Sequence, residues 1–530
     1  MKKLFALVAL LFTFSGYVFA DEESEADPAE IAIGERLFLE TRFAQSWYAH
    51  PGKADPALNE TRTTGKPLNG AFTGETMNCR ACHMVDEHQD KAGMRTYADY
   101  ARLTPIPSRK DGKRLTGRNS MSLVNISKDD IDNILFHFDG EFNSLEDLVV
   151  GTFTGRNFGW QADEKNVAIK HVANIVRNDN GKGDLAQEFG GSYRIILRGT
   201  DTGIPSELRL PSEYRVDVDT ASDMEIVNAV AKLVAAYTGD LGFAVDDNGH
   251  YSGSPYDAFL KTNKLPQAPA KGESAIAYGQ RLLDKVEMMK AVTFVDGNKH
   301  DFETHKQAFH FKAKELRGMK LFFRTGSTSQ SGGNCASCHH APHFTDFRFH
   351  NTGISQNMYD VVHGQGNFQK LDIPDLAKRN QSPGRYLPAT ATHPDATAPF
   401  RSHVSKDKTG YTDLGLWNIF ANPAMPGPQK KIRAVLCNAS TTCKDDELLA
   451  RSIATFKTPT IRDTGHSAPY MHNGELNTLQ DVLTRYVQNS VLARQGKLRN
   501  GDKELAGIHL TATDIDDLVA FLDALNEDYD

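Results

Sequence analysis

Cys79-Arg80-Ala81-Cys82-His83 and Cys335-Ala336-Ser337-Cys338-His339 share one pattern, Cys-x-x-Cys-His. Within one turn of chain this spacing places two thiols where they add across the two vinyl groups of a single haem. The adjoining His then falls under the iron as its proximal ligand. The competing readings are coincidence, a redox Cys-x-x-Cys, or zinc. Zinc needs further thiolates or histidines at matching spacing, and none is evident. Two haem c groups are therefore expected, one held by Cys79, Cys82 and His83, the other by Cys335, Cys338 and His339.

Two more cysteines, Cys437 and Cys443, flank a short polar stretch. A small-loop disulfide is the favoured expectation and free thiols the alternative. His340 and His343 follow the second motif closely. They offer a metal site on one reading and the haem edge or surface on another.

The sequence repeats itself around these motifs. Gly34-Glu35-Arg36-Leu37-Phe38 has its counterpart in Gly318-Met319-Lys320-Leu321-Phe322 before the second motif. After each motif comes a longer block. Residues 139–149 (Asp-Gly-Glu-Phe-Asn-Ser-Leu-Glu-Asp-Leu-Val) match 473–483 (Asn-Gly-Glu-Leu-Asn-Thr-Leu-Gln-Asp-Val-Leu) at a constant offset of 334. Both blocks read as a turn, a Ser or Thr N-cap and a short amphipathic helix. A duplicated unit follows. Three residues further on, Thr152 falls opposite Tyr486. A tyrosine oxygen ligates ferric haem and a threonine normally does not. The register thus suggests unequal sites: a second iron held by His339 and Tyr486, and a first held by His83 with its other face open. A core aromatic on an amphipathic helix is the competing reading of Tyr486.

The elements that must position these groups are helical. A helix is expected from Asp27-Pro28, read as an N-cap followed by Pro at the first helical position. Ser222 to Tyr237 is helical by pattern. A last helix is expected from Thr513, with Leu518, Phe521 and Leu522 on one face. The first haem unit spans residues 29–180, a connecting helical and loop region 181–310, and the second haem unit 311–527. The stretch from Gln356 to Asp445 reads as a long irregular insertion, rich in Pro, Gly and Asn, of the kind that carries function or covers a site. Asn298 to Phe311 mixes aromatics with histidine and matches nothing else in the chain.

The whole chain has 530 residues, 39% hydrophobic and 24% charged, with a formal charge of −8. That balance suits a folded soluble protein. The negative sign, with no basic tract, argues against nucleic acid as a partner. Lys2 and Lys3, the apolar run Leu4 to Phe14 and the small-residue end at Ala20 read as a secretory signal peptide over residues 1–20. An uncleaved anchor is the alternative, though the run is short for a bilayer span. Export to the periplasm, removal of the signal after Ala20, a mature charge of −10 and no transmembrane span are the expectations. Such a compartment is oxidising, so its cysteines pair or carry a cofactor.

Phe456-Lys457-Thr458-Pro459-Thr460-Ile461-Arg462-Asp463, continuing through Ala468-Pro469-Tyr470-Met471-His472-Asn473-Gly474, resembles the signature of the bacterial di-haem cytochrome c peroxidase family, which includes the MauG-type enzymes. Gly117-Arg118-Asn119-Ser120, Phe138-Asp139-Gly140, Ser254-Pro255-Tyr256-Asp257 and Phe349-His350-Asn351-Thr352-Gly353 resemble it too. The motifs cover most of residues 30–525. The resemblance implies a mainly α fold: two cytochrome c-like helical domains, each with one covalently bound haem c. It implies a calcium ion between them, held by Asn119 and by the backbone carbonyls of Ser467 and Pro469, oxygen donors that suit a hard cation. It assigns Tyr486, as in the MauG-type members, to the second iron.

Three positions depart from the family pattern. A Trp between the haems, an electron relay, is Phe138 here; Trp160 is the candidate substitute. The Gln and Glu that shuttle protons over the open haem match Leu148 and Phe158. No His stands near Asp99 and Tyr100 to cap the first iron, and His88 lies too close to His83 to do so.

An open ferric haem with a proximal His binds hydrogen peroxide and cleaves its O–O bond. A positioned acid–base group speeds that step by about 10²–10⁴-fold. Candidates are His137, Glu141, Glu146 and Arg156, with Thr152 on the same open face. The expected enzyme is a di-haem cytochrome c peroxidase or MauG-like peroxide-dependent oxidoreductase. Its second haem relays electrons or stores oxidising equivalents. A redox partner protein (small cytochrome or cupredoxin) would supply electrons, or a protein substrate would be oxidised. An electron-transfer di-haem cytochrome without turnover and a haem oxygenase of an organic substrate are the rival readings.

Overall fold

The computed structural model describes residues 27–49, 78–79, 82–83, 109, 111, 118–127, 132–297, 302, 305–326, 331–437 and 443–528. The expected signal peptide, His88, Asp99, Tyr100 and Gly117 lie outside them. The chain is mainly helical; its one described ladder pairs Phe349–His350 antiparallel with Phe456–Lys457.

Six helices set the frame. They are α1 (Ala29–Phe38), α2 (Leu145–Phe153), α3 (Asp223–Asp240), α4 (Ala313–Phe323), α5 (Leu479–Arg494) and α6 (Ala512–Asp523). Pro28 takes the cap position of α1 without a side-chain hydrogen bond, so Asp27 is not the expected N-cap. The helix buries nine of its ten residues, which makes it a core rather than a surface helix. Ser222 and Glu225 close a capping box on α3. Thr511 and Asp514 do the same on α6, which therefore starts before the expected Thr513. Leu518, Phe521 and Leu522 are buried as the pattern indicated.

The two units are built alike. Helix α1 crosses α3 at Gly34, and α4 crosses α6 at Gly318. A Cβ at either glycine would collide with a carbonyl of the facing helix, Leu233 or Asp517. This is why the Gly-x-x-Leu-Phe pattern occurs twice: the glycine lets two helix backbones touch, and the apolar pair seals the crossing. The first hydrophobic core gathers α1, α2, α3 and helix Lys165–Asn178. The second gathers α4, α5, α6 and helices Pro255–Thr262 and Ala275–Glu287. Residues 181–310 are thus divided between the two cores rather than standing between them as a separate connector. The third helix of the first unit comes from sequence beyond residue 180, because the first unit needs α3 to bury α1.

The insertion is also less irregular than its composition suggests. Short helices at Ile354–His363, Leu376–Gln381, Gln429–Leu436 and Asp445–Arg451 surround a small core of Leu414, Leu416, Trp417, Ile419 and Phe420. Arg379, fully buried against Trp417, donates to the carbonyls of Trp417, Phe420 and Ala421 at 2.5–3.0 Å. The Cys437 and Cys443 sulfurs are bonded to each other. No helix among the described residues is long and apolar enough to cross a membrane.

Candidate functional site

The sequence repeat reappears as repeated backbone geometry. Phe136 donates its N–H to Phe142 O at 2.9 Å, and Tyr470, at the same offset of 334, donates to Leu476 O at 2.7 Å. Within each of these turns two residues have positive φ: His137 (62°) and Gly140 (71°), Met471 (72°) and Gly474 (64°). The turns end in matched caps. Ser144 Oγ accepts from Asp147 N, and Thr478 Oγ1 from Asp481 N, each at 3.1 Å. The caps start α2 and α5, which carry Thr152 and Tyr486 into two separate cavities.

The first cavity is lined by Cys79, Cys82, His83, Leu123, His137, Phe138, Leu148, Thr152, Arg156 and Phe158. The second is lined by Cys335, Cys338, His339, Lys457, Leu483 and Tyr486 among others. They hold about 140 and 220 Å³. One water needs roughly 10–15 Å³ on that measure, so each cavity has room for a prosthetic group rather than for one ion.

The chemistry of the walls fits haem c. The four thiols are not disulfide-bonded. Burial pushes Cys82 and Cys335 up to about 12. His83 Nδ1 donates to Met121 O at 2.9 Å, and His339 Nδ1 to Phe344 O at 3.0 Å. Those bonds fix one tautomer in each ring and leave Nε2 with its lone pair. Burial lowers His83 to about 4 and lowers His339, so both rings are neutral, as ligation requires. Burial also raises the Tyr486 phenol. Its hydroxyl makes no hydrogen bond to the described residues. In the first cavity the matching wall position is the short Thr152.

Sequence reasoning named His137, Glu141 and Arg156 singly and missed that Arg118, Arg401 and Asp413 join them beside the first cavity. Glu141, buried to 9% side-chain exposure, accepts from Arg156 at 2.6 and 3.0 Å, from Arg401 at 2.7 Å and from His137 Nδ1 at 3.1 Å. Arg401 and Arg118 also meet Asp139, at 3.0 and 2.5 Å, and Arg118 grips Asp413 at 2.6 and 2.8 Å. Arg401, Ser402 and Asp413 belong to the insertion of the second unit, yet all three line the first cavity. Burial would raise Glu141, but Arg156 and Arg401 hold it well below the usual carboxylate range. An ionised Glu141 only accepts, so His137 Nδ1 carries the proton and Nε2 is the basic atom. Burial lowers the His137 pKa. Among the other candidates, Glu146 is exposed in the first turn of α2, on the face away from the cavity. There it complements the helix N-terminus.

Asn119 and Phe138 line both cavities and form their common wall. Trp160 lines neither; it is buried in the first core against Tyr48 and His171, ring centroids 5.4 and 5.7 Å away. The Asn119 amide lies 2.5 Å from Pro469 O, and Ser467 and Pro469 share the second cavity's wall with it. His340 bonds Ser337 O at 3.3 Å and His343 bonds the Tyr251 hydroxyl at 2.8 Å, so the two are separately engaged. His305, from the unmatched stretch after residue 298, and His466 hold opposite oxygens of Asp463 at 2.7 and 2.8 Å. Their rings stack at 3.8 Å and 22°. The trio forms a hydrogen-bonded clamp whose ligand atoms lie within 4.8 Å of one another.

No family model matches the chain. It is 28% identical over 194 residues to the cytochrome-c peroxidase IdrP2 of Denitromonas iodatirespirans, covering 37% of this chain and 36% of that one. It is 22% identical over 279 residues to the cytochrome-c peroxidase IdrP1 of Pseudomonas sp. (strain SCT), covering 51% and 53%. A 70-residue stretch is 36% identical to the methylamine utilization protein MauG of Methylorubrum extorquens, covering 13% and 18%. The chain thus spans between about a fifth and about half of the length of these relatives. Solved structures of the diheme peroxidase BthA from Burkholderia thailandensis E264 and of a MauG-like protein associated with microbial copper homeostasis each align with a TM-score of 0.43 at 16% identity. They cover 94% of this chain and 86% and 90% of theirs.

Proposed function

We propose that this chain, a member of the bacterial di-haem cytochrome c peroxidase family that includes the MauG-type enzymes, is a periplasmic oxidoreductase consuming hydrogen peroxide at its first cavity. Cys79 and Cys82 would carry one haem c with His83 on its iron. Cys335 and Cys338 would carry the other, with His339 and Tyr486 as the side chains that would hold its iron. Bound there, haem c supplies the redox chemistry of peroxide reduction. The observation that carries the reading is the inequality of two otherwise repeated sites: Tyr486 reaches into the second cavity where Thr152 stands in the first.

The protein's own part is acid–base and positional. His83 and His339 present Nε2 because their Nδ1 protons are held by backbone carbonyls. His137 presents Nε2 to the first cavity because Glu141 holds Nδ1. It takes the place of the family's acid–base pair, whose positions are Leu148 and Phe158 here. Arg156 and Arg401 keep Glu141 charged and so keep His137 in that tautomer. Its backbone, at φ 62°, is in the region that non-glycine residues rarely occupy, a conformation that clusters at functional sites. Leu148 and Phe158 keep the same wall dry. Asn119 with the Ser467 and Pro469 carbonyls would hold calcium between the units. Electrons would arrive from a small redox protein, or a protein side chain would be the substrate.

Ferric-state spectroscopy tests this. A high-spin signal that cyanide converts to low-spin is expected beside one unchanging low-spin haem. Two low-spin irons and no cyanide binding would leave an electron carrier.

A further inference from the structure

Buried cations in this protein are compensated, with one exception among the described residues. Arg36 pairs with Asp179 at 3.1 Å, Arg462 with Asp257 at 2.9 Å, and Arg379 collects three carbonyls. Lys457 is 5% exposed and has neither. Its ammonium lies 5.3 Å from the Phe136 ring centroid and 5.6 Å from that of Phe347. No carboxylate or carbonyl meets it among the described residues. The nearest charged group on its paired strand, His350, is committed to Asp346 and Asp502 at 2.8 and 2.5 Å.

Ring faces favour a cation but do not replace the hydration lost on burial. Desolvation alone lowers Lys457 to about 7. An ammonium in that position calls for an anion, and Lys457 is a lining residue of one cavity only among those described. That cavity is the second, which Lys457 lines together with Phe138 and Asn119. The Cys335, Cys338 and His339 group belongs to the same cavity.

We propose that Lys457 is a carboxylate-binding site of the second cavity, and that the carboxylate is an acid substituent of the haem held there. This rests on the two-haem reading above. The backbone holds the lysine rigidly at that wall. Its N–H donates to Phe138 O at 2.8 Å, and its strand pairs with Phe349–His350. A positive charge beside that carboxylate disfavours the ferric, more positive state of the iron, so Lys457 raises the reduction potential of the second haem.

The test uses the purified holoprotein and the variants Lys457→Met and Lys457→Arg. Pyridine haemochrome absorbance counts the haems, and a spectroelectrochemical titration reads the low-spin midpoint. Lys457→Met is expected to keep two haems and to show a lower midpoint; Lys457→Arg stays near wild type. An unchanged midpoint in Lys457→Met overturns the assignment. A wild-type midpoint that follows phosphate or chloride concentration overturns it too, since a free anion would then be the ligand. If Lys457→Met does not accumulate, Lys457→Gln must show the same fall. Peroxide turnover is read separately: the midpoint shift without turnover keeps Lys457 and removes the peroxidase reading.

Discussion

Asn119 and Lys457 occupy the same position in the two units, and each donates its backbone N–H across the interface to the other unit. Asn119 bonds His472 O and Lys457 bonds Phe138 O, both at 2.8 Å. The acceptors are themselves related by the 334-residue offset. Six residues beyond each donor, Asn125 and Asp463 both have positive φ, 53° and 55°. Each donates its N–H to the end of its unit's closing helix, at Leu241 and Leu525. The two units therefore exchange equivalent backbone bonds beside the wall of Asn119 and Phe138 that both cavities share. The two cavities differ by substitutions on this repeated frame.

One such difference can be exchanged. Thr152→Tyr places a phenol where Tyr486 stands in the other unit. It is expected to abolish cyanide binding by the ferric protein. Tyr486→Phe removes the phenol oxygen and is expected to change the low-spin spectrum. Visible absorption with cyanide titration checks both. Undiminished cyanide affinity in Thr152→Tyr would contradict the proposal that Thr152 stands beside an open haem site.

The link between Arg401 and Glu141 makes the insertion part of the first cavity. Glu141→Gln would leave Arg156 and Arg401 facing a neutral amide in a buried place. Breaking a buried pair in this way costs about 3–5 kcal/mol. Denaturant unfolding of the holoprotein should show a loss of that order. In Glu141→Gln His137 also loses its fixed tautomer, so the rate of reaction with peroxide should fall by about 10²-fold or more. Stopped-flow spectroscopy separates this from a purely structural role, which would leave the rate of the surviving folded protein unchanged.

Acid should unfold the protein through particular carboxylates. Burial would raise Glu40, but Arg42 brings it down to about 2; burial would raise Asp413, but Arg118 brings it to about 2. A depressed folded pKa gives stability that is present above the unfolded value and lost as pH falls through the folded one. Each such carboxylate contributes roughly 2–3 kcal/mol at neutral pH. Stability is expected to be level from these two groups above about pH 5 and to fall between about pH 4 and 2. Asp413→Asn should flatten part of that fall. Chemical denaturation across the pH range measures it, and an unaltered profile in Asp413→Asn would contradict the pairing with Arg118.

Short-range chemistry was readable from the chain itself. Both Cys-x-x-Cys-His motifs, the repeated turn with its Ser or Thr cap and the Thr152–Tyr486 contrast depend on residues within about fifteen positions of one another. Local hydrogen bonds and helical periodicity decide such features. The pairing of Gly34 with α3 and of Gly318 with α6 was only half visible, because a close helix approach needs a glycine but does not name its partner. What tertiary structure alone decided is the company these motifs keep. Arg401 meets Glu141 across 260 residues, Asp413 meets Arg118 across 295, and Lys457 lies over the Phe136 ring with no carboxylate beside it among the described residues. Burial and charge compensation are properties of the packed whole. No spacing in the chain encodes them, since they arise when distant segments exclude water from the same volume.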